Sequence, residues 1–415
     1  MWYPGLPVRA MSNQVVITGI GVVSPIGVGK KDFWSGLVRG QNGVRKITHF
    51  DPSPYRTSVG AEIQNFEPGN YLPDNHTADA DRAKQLVLVA AHLAIEDAGM
   101  IFDDHNRKQA GIFIGTTTGT ANSLLKYQHD ILENGVKAAN DCDVLNYNNE
   151  SLPNEIARLY GLTGRTAVLT NACAAGNYAI GQAYDMIRTG SADVMLAGGV
   201  DAISEIAFCG FSSTRSLTRK ACRPFDQHRD GLAVAEGAAI LVMESLDHAG
   251  DRGARIYADV VGYGLSCDAG HMTAPDISGH GAALAIRNAL RDAKMSPSEI
   301  DYICAHGTGT PANDLMETRA IKSVFGKSAY EIPVSSIKSM IGHSFGASGA
   351  LSAAACMMVL DRHIIPPTIN YETPDPECDL DYVPNVAVQR ETKTILSNSF
   401  AFGGNNASLV FRKNL

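Results

Sequence analysis

Residues 94–100 read AIEDAGM, and residues 289–295 read ALRDAKM. Each closes an amphipathic helical pattern, and each is followed by an apolar strand that ends on glycine and threonine, as Ile114-Gly115-Thr116 in one case and His306-Gly307-Thr308 in the other. Asp97 answers to Asp292 and Gly115 to Gly307 at nearly the same separation. A duplicated helix–loop–strand unit accounts for the echo, and two related halves would then face one another.

The rest of the chain keeps the same rhythm. Strand patterns rich in Val and Ile (QVVITGIGVV, GIFIG, RTAVLT, ADVMLAGG, AAILVME, IYADVVGYG, YICAHG, IPVSS, ASLVFRK) alternate with helical patterns throughout, which predicts an α/β fold with largely buried sheets. At 415 residues the chain exceeds one ordinary domain. The expected division is an extension over 1–10, with Met11 a second candidate start, a first half over 11–260 and a second half over 261–415.

Composition narrows the function. Apolar residues at 45% against 19% charged describe a compact globular enzyme. A formal charge of -8 argues against general nucleic-acid binding, which needs clustered Lys and Arg to displace counterions. The eight cysteines form no CxxC pair, so neither a zinc site nor a disulfide framework is expected, and a reducing, cytoplasmic setting fits. MWYPGLPVRA has no basic start followed by an apolar run, and so does not read as a signal peptide. The longest apolar run, ALSAAACMMVL, is short of the roughly 18 residues that span a bilayer and predicts a buried helix, so no membrane association is expected.

The early glycines of Thr18-Gly19-Ile20-Gly21-Val22-Val23-Ser24-Pro25 do not make a dinucleotide site. The third glycine is missing, and Pro25 stands where a phosphate-facing helix should begin. GxxxxGK[ST] is also absent, which removes the case for a nucleoside triphosphate.

More telling is LTNACAAGNYAIG, residues 169–181, where a β-branched run becomes a helical pattern that ends near Arg188 and Gly190. Cys173 falls at the start of that helix. There the dipole and free N–H groups would favour the thiolate and lower its pKa, and the neighbouring Ala and Gly residues would leave room for an acyl group. A cysteine in an Ala-rich helix is ordinarily structural. Two distant segments change that reading: CAHGTGTPANDLMET carries His306 at a strand end, and SSIKSMIGHSFGASGA carries Lys338 and His343 before a small-residue helix. Two imidazoles on loops at strand ends join one cysteine, where catalytic groups of α/β folds gather.

With these motifs the sequence resembles the β-ketoacyl-[acyl carrier protein] synthases of the thiolase superfamily, in the elongating branch typified by synthase II, from VVITGIGVVSPIG to SNSFAFGGNNASLVF. The resemblance implies a five-layered αβαβα sandwich of two pseudo-duplicated halves and a dimer across a shared sheet. It implies that Cys173 carries the acyl chain as a thioester while His306 and His343 bind the malonyl thioester carbonyl and assist decarboxylation. Lys338, Asp314 and Glu317 match supporting residues that would hold the imidazole tautomers. Thr308, Thr310 and Thr273 match residues along the pantetheine arm, and the N–H groups of Cys173 and Phe402 would form the oxyanion hole, Phe402 also being the acyl gate. His271, His280 and His228 are expected to be structural. No metal or organic cofactor is implied.

The implied partners are acyl- and malonyl-loaded carrier proteins, which are acidic. Arg215 matches a docking arginine, with Arg219, Lys220 and Arg223 close in sequence. Ala401 replaces the glycine usual in the gate motif, so the gate is expected to move less freely. Asn171 and Asn405 replace threonines. The implied reaction is decarboxylative Claisen condensation in fatty acid elongation. The same chemistry in a type II polyketide or polyene pathway, beside a chain-length-factor partner, is the alternative. A non-catalytic chain-length subunit would lack the cysteine, a thiolase would carry a second cysteine in place of His343, and a cysteine hydrolase would pair one histidine with Asn or Asp.

Overall fold

The computed structural model describes residues 13–72, 80–104, 106–138 and 140–414; the 1–10 extension lies outside the described residues. Ten strands form the body of an eleven-stranded sheet. They are β1 (Val15–Ser24), β2 (Ala110–Gly115), β3 (Thr166–Leu169), β4 (Val194–Asp201), β5 (Gly237–Ser245), β6 (Ala258–Cys267), β7 (Tyr302–Cys304), β8 (Val334–Ser335), β9 (Thr394–Phe400) and β10 (Asn405–Arg412). Their order is β8-β7-β9-β10-β6-β1-β5-β4-β2-β3. Read outward from the β1–β6 seam, both wings run antiparallel, antiparallel, parallel, parallel. The boundary expected at residue 260 falls inside β6. Within the run IYADVVGYG the strand begins at Ala258 and continues unbroken to Cys267, so the wings divide in the connection between Ser245 and Ala258.

The helices that position the site are α1 (Arg82–Ala98), α2 (Ser151–Tyr160), α3 (Ala175–Arg188), α4 (Glu205–Ser213), α5 (His280–Asp292), α6 (Pro311–Phe325) and α7 (Ser348–Arg362). The opening echo has a physical cause. β1 slips register between Ile17 and Gly19, and β6 between Val260 and Gly262. Beside each slip a helix carboxylate takes a strand N–H: Asp97 accepts from Ile20 at 3.0 Å, and Asp292 from Tyr263 at 3.1 Å. The flanking glycines let the helices close in. A Cβ at Gly21 would lie 1.8 Å from the Ala90 carbonyl oxygen, and one at Gly264 would lie 2.2 Å from that of Ala285. The TGIG glycines therefore seat α1 and bind no phosphate.

Strand alternation divides the apolar residues among layers. On β5, Ile240 and Val242 face α1 and α2, while Leu241 and Met243 face the inner layer of α3 and α7. On the other wing, Ile303, Leu396 and Val410 face α5 and α6, while Ile395, Leu409 and Phe411 face inward. Three helical layers thus enclose two sheet wings, the expected αβαβα sandwich. Helix α7, the ALSAAACMMVL segment, is buried from Ser348 to Leu360. No helix among the described residues is long and apolar enough to cross a membrane.

The two inner helices begin alike. α3 follows a short turn, Ala172–Ala174, and α7 follows Phe345–Ala347. Each turn opens on a residue forced left-handed, Ala172 at φ 48 and Phe345 at φ 46. The second position of the turn is Cys173 in one half and Gly346 in the other.

Candidate active site

Cys173, His306 and His343 line one cavity of about 330 Å³. The turn before α3 presents the thiol, the loop after β7 presents His306, and the segment between Lys338–Ile341 and α7 presents His343. The two imidazoles stand 5.3 Å apart, edge to face at 84°. Phe400 packs on the edge of His306 at 5.9 Å.

The His343 tautomer is fixed by its surroundings. Its Nδ1 accepts the Phe345 N–H at 3.2 Å and lies 2.8 Å from the Ser348 hydroxyl. A backbone N–H only donates, so Nδ1 holds a lone pair and Nε2 carries the proton. Burial, together with the nearby Lys338 ammonium, keeps both rings well below the ordinary histidine range and neutral. His306 Nδ1 is buried and finds no partner among the described residues.

The carboxylates hold backbone instead of rings, contrary to expectation. Glu317 accepts the N–H groups of His306 at 2.9 Å and Gly307 at 2.8 Å. Asp314 accepts those of Thr308, Gly309 and Phe225. A loop that turns back at Gly307 and Gly309 leaves its N–H groups unpaired, and buried carboxylates satisfy them. Burial pushes Glu317 up to about 7. Lys338 is 1% exposed, its Nζ has no hydrogen-bond partner among the described residues, and burial lowers its pKa.

A second correction concerns the thiol. Burial pushes Cys173 up to about 12, against the pull of Lys338 and of two backbone N–H groups, those of Cys173 and Phe402. Desolvation by the surrounding protein outweighs the helix terminus, so the group is held as a neutral thiol. The same pair of N–H groups converges on the sulfur in the manner of an oxyanion hole.

Thr308, Thr310 and Thr273 all line the cavity, and the hydroxyls of Thr308 and Thr310 lie 2.9 Å apart. His271 accepts the Thr273 and Ala274 N–H groups and shapes that loop. His280 opens α5, and His228 is exposed. Phe402 leans on Phe211 of α4 at 5.3 Å, and Phe211 stacks on Phe345 at 5.2 Å. Ala401 carries no strain at φ -129; the left-handed positions of the gate are Gly403 and Gly404, at φ 80 and 77. Asn171 precedes the nucleophile turn and accepts the Ala174 N–H on its carbonyl, with no capping bond from its side chain, and the Asn405 carbonyl accepts the Ala401 N–H.

Arg215 lines the cavity mouth and also a neighbouring recess of about 380 Å³, shared with Arg219 and Arg56. None of these three guanidiniums makes an ion pair among the described residues. Lys220 is exposed on the same turn and lines neither space, while Arg223 pairs with Glu372 at 3.1 Å. Sequence reading passed over Arg56, an isolated charge without a motif. It also passed over Asp201, although an acid closing the apolar strand ADVMLAGGVD is a usable signal.

The profile of the β-ketoacyl synthase N-terminal domain matches residues 12–249, and that of its C-terminal domain matches residues 257–372. The chain belongs to the β-ketoacyl synthase family. It is a ketosynthase, an acyltransferase by class. Among its relatives are the 3-oxoacyl-[acyl-carrier-protein] synthase 2 of Synechocystis, 41% identical over 97% of this chain and 98% of that one, and the protein of the same name from Coxiella burnetii, 40% identical over 97% and 99%. Among solved structures, a chain of the ishigamide ketosynthase/chain length factor superposes with a TM-score of 0.93 at 43% identity, covering 97% of this chain and all of that one. A chain from a type II polyketide ketosynthase, bound to a hexaketide and in complex with its acyl-carrier protein, gives 0.91 at 34%, with the same coverage.

Proposed function

We propose that this ketosynthase condenses an acyl group held on Cys173 with malonyl-[acyl carrier protein], giving 3-oxoacyl-[acyl carrier protein] and CO₂ in fatty acid elongation. The observation that carries the reading is the single cavity holding one thiol, two neutral imidazoles and two N–H groups aimed at the sulfur. Cys173 attacks the acyl thioester, and the carrier thiol leaves with the proton. Malonyl carrier protein then enters, its terminal C–C bond breaks, and CO₂ departs. Nε2–H of His343 and an N–H of His306 stabilise the enolate oxygen. The carbanion attacks the Cys173 thioester, whose oxygen gathers charge between the Cys173 and Phe402 N–H groups, and the C–S bond breaks to release the Cys173 thiolate, which takes up one proton from solvent to regenerate the thiol. Lys338, Asp314 and Glu317 support the loop and the field, and Thr308, Thr310 and Thr273 line the path of the arm.

Carrier docking is assigned to Arg215 and Arg219, joined by Arg56, whose unpaired charges suit an acidic partner. The half-exposed edge strand β3 offers pairing to a second copy of the chain. The seven described cysteines are free, which suits a cytoplasmic setting. A second reading, a polyketide or polyene pathway with a chain-length-factor partner, is favoured by the 43% identity to the ishigamide structure.

The test is incubation with radiolabelled acyl carrier protein and then [¹⁴C]malonyl carrier protein. Label on Cys173 and release of ¹⁴CO₂ uphold the condensing reading, whereas thiolysis without CO₂ would make the protein a thiolase. Turnover alone against turnover with a chain-length-factor partner separates the two pathways.

A further inference from the structure

We propose that Asp201 is a positioning residue for His343: by accepting the Gly346 N–H it holds the turn whose preceding N–H fixes that imidazole with its proton on Nε2. The proposal rests on the condensing role given to His343 above.

Asp201 ends β4 with no exposed surface and no cation bonded to it. Its carboxylate instead gathers donors from two separate stretches of chain. From the loop after β2 come the hydroxyl of Thr116 at 2.8 Å, the N–H of Thr117 at 2.9 Å, the N–H and hydroxyl of Thr118 at 2.8 Å each, and the N–H of Gly119 at 3.1 Å. From the second half of the molecule comes one donor alone, the Gly346 N–H, at 2.7 Å the shortest of the set. That bond ties the turn before α7 to the first half, while the backbone of His343 just ahead of it is held separately, its N–H donating to the Ala233 carbonyl at 2.7 Å and its carbonyl accepting the Ala235 N–H at 3.0 Å.

The turn needs such a tie. Phe345 sits at φ 46, a region that non-glycine residues occupy only where their surroundings over-determine them. Its N–H, in the peptide plane just before that turn, donates to His343 Nδ1 at 3.2 Å. Gly346 is pressed against the loop that Asp201 organises, since a Cβ there would lie 2.6 Å from Thr116 Cα. Asp201 thus sets the floor of the turn from one side while bonding it from the other. If the turn relaxes, Nδ1 loses its obligate donor, the Ser348 hydroxyl can accept as readily as donate, and the ring is free to carry its proton on the wrong nitrogen.

The test uses the full-length enzyme labelled with ¹⁵N at histidine, whose two-bond proton–nitrogen couplings distinguish the tautomers; a His343→Ala spectrum assigns the ring. The parent shows His343 wholly as Nε2–H. In Asp201→Asn one oxygen replaces two acceptors, the Gly346 bond is lost and the Nδ1–H form appears, while kcat for CO₂ release from malonyl carrier protein falls about tenfold at unchanged KM, short of the hundredfold or more that follows loss of a whole oxyanion donor. A folded Asp201→Asn protein that stays wholly Nε2–H overturns the proposal, whatever its activity. A tautomer change with CO₂ release intact upholds it and removes His343 from the reaction instead. If Asp201→Asn does not fold, Asp201→Glu, which keeps the charge and displaces it by one methylene, is read in the same way.

Discussion

The Phe345 N–H donates to Nδ1 of His343 across 3.2 Å. This contact makes the ring a hydrogen-bond donor on its cavity side and leaves it no basic nitrogen there. His343→Asn, which can still present an N–H, should therefore keep more decarboxylation than His343→Ala, whose loss is expected at about 10²- to 10³-fold. Equal losses measured by ¹⁴CO₂ release would show that the ring acts as a base.

The thiol of Cys173, pushed up to about 12, is protonated at neutral pH in the free enzyme. Since the thiolate fraction rises about tenfold per pH unit below the pKa, alkylation by iodoacetamide should climb steadily from pH 7 to 10 without levelling off. A plateau below pH 8 would contradict the neutral resting thiol.

Glu317 shifts from 4.5 to about 7 because it is buried, so the folded protein holds its proton more tightly than the unfolded chain does. Its contribution to stability is complete below about pH 4.5 and is lost as the pH rises through about 7, an effect of about 3 kcal/mol at 1.36 kcal/mol per unit. Glu317→Gln lacks this dependence. Its melting temperature relative to the parent should therefore rise from pH 5 to pH 8, and a constant difference would refute the buried ionisation.

Gly404 and Ala401 should respond in opposite ways to what the gate motif suggests. A Cβ at Gly404 would lie 2.9 Å from Asp268 Cβ, on a backbone at φ 77, so Gly404→Ala should distort the gate and cut condensation at least tenfold. Ala401→Gly, at an unstrained position, should leave turnover within about twofold and lower stability by about 0.5–1 kcal/mol through unfolded-state entropy. Stopped-flow acylation and thermal melts measure both.

Arg56, Arg215 and Arg219 line one recess beside the cavity, together with Asp230. Arg56→Glu should raise KM for malonyl carrier protein about as much as Arg215→Glu does, by roughly tenfold, with the difference from the parent shrinking at 0.5 M salt. An unchanged KM for Arg56→Glu, beside a raised one for Arg215→Glu, would confine docking to the cavity mouth.

Much of this was legible in the sequence, and for local reasons. Strand and helix periodicity, the DAxM helix ends and the small residues around Cys173 are short-range patterns; they predicted an α/β fold of two related halves and brought the thiol forward, while the two histidine segments brought the imidazoles forward and the family resemblance implied the layered sandwich. One strand escaped. TILSNSF, which forms β9, hides behind its polar residues because Asn398 spends its side chain on Glu317 at 3.3 Å and on Ser408 at 2.8 Å, partners that only the folded sheet supplies. The DAxM motif itself announced a repeat but not its purpose; that Asp97 and Asp292 cap N–H groups beside two register slips needed the strands in place.

What tertiary structure alone decided is everything that depends on the sum of surroundings. Burial overruled the helix terminus at Cys173 and turned Asp314 and Glu317 toward backbone N–H groups. It set the His343 tautomer through a turn that Asp201, remote in sequence, holds in place. A chain's own pattern fixes which groups exist and which local conformations they favour. Solvation and hydrogen-bond partnership are properties of the space those groups come to share, and that space forms only when the two halves close on each other.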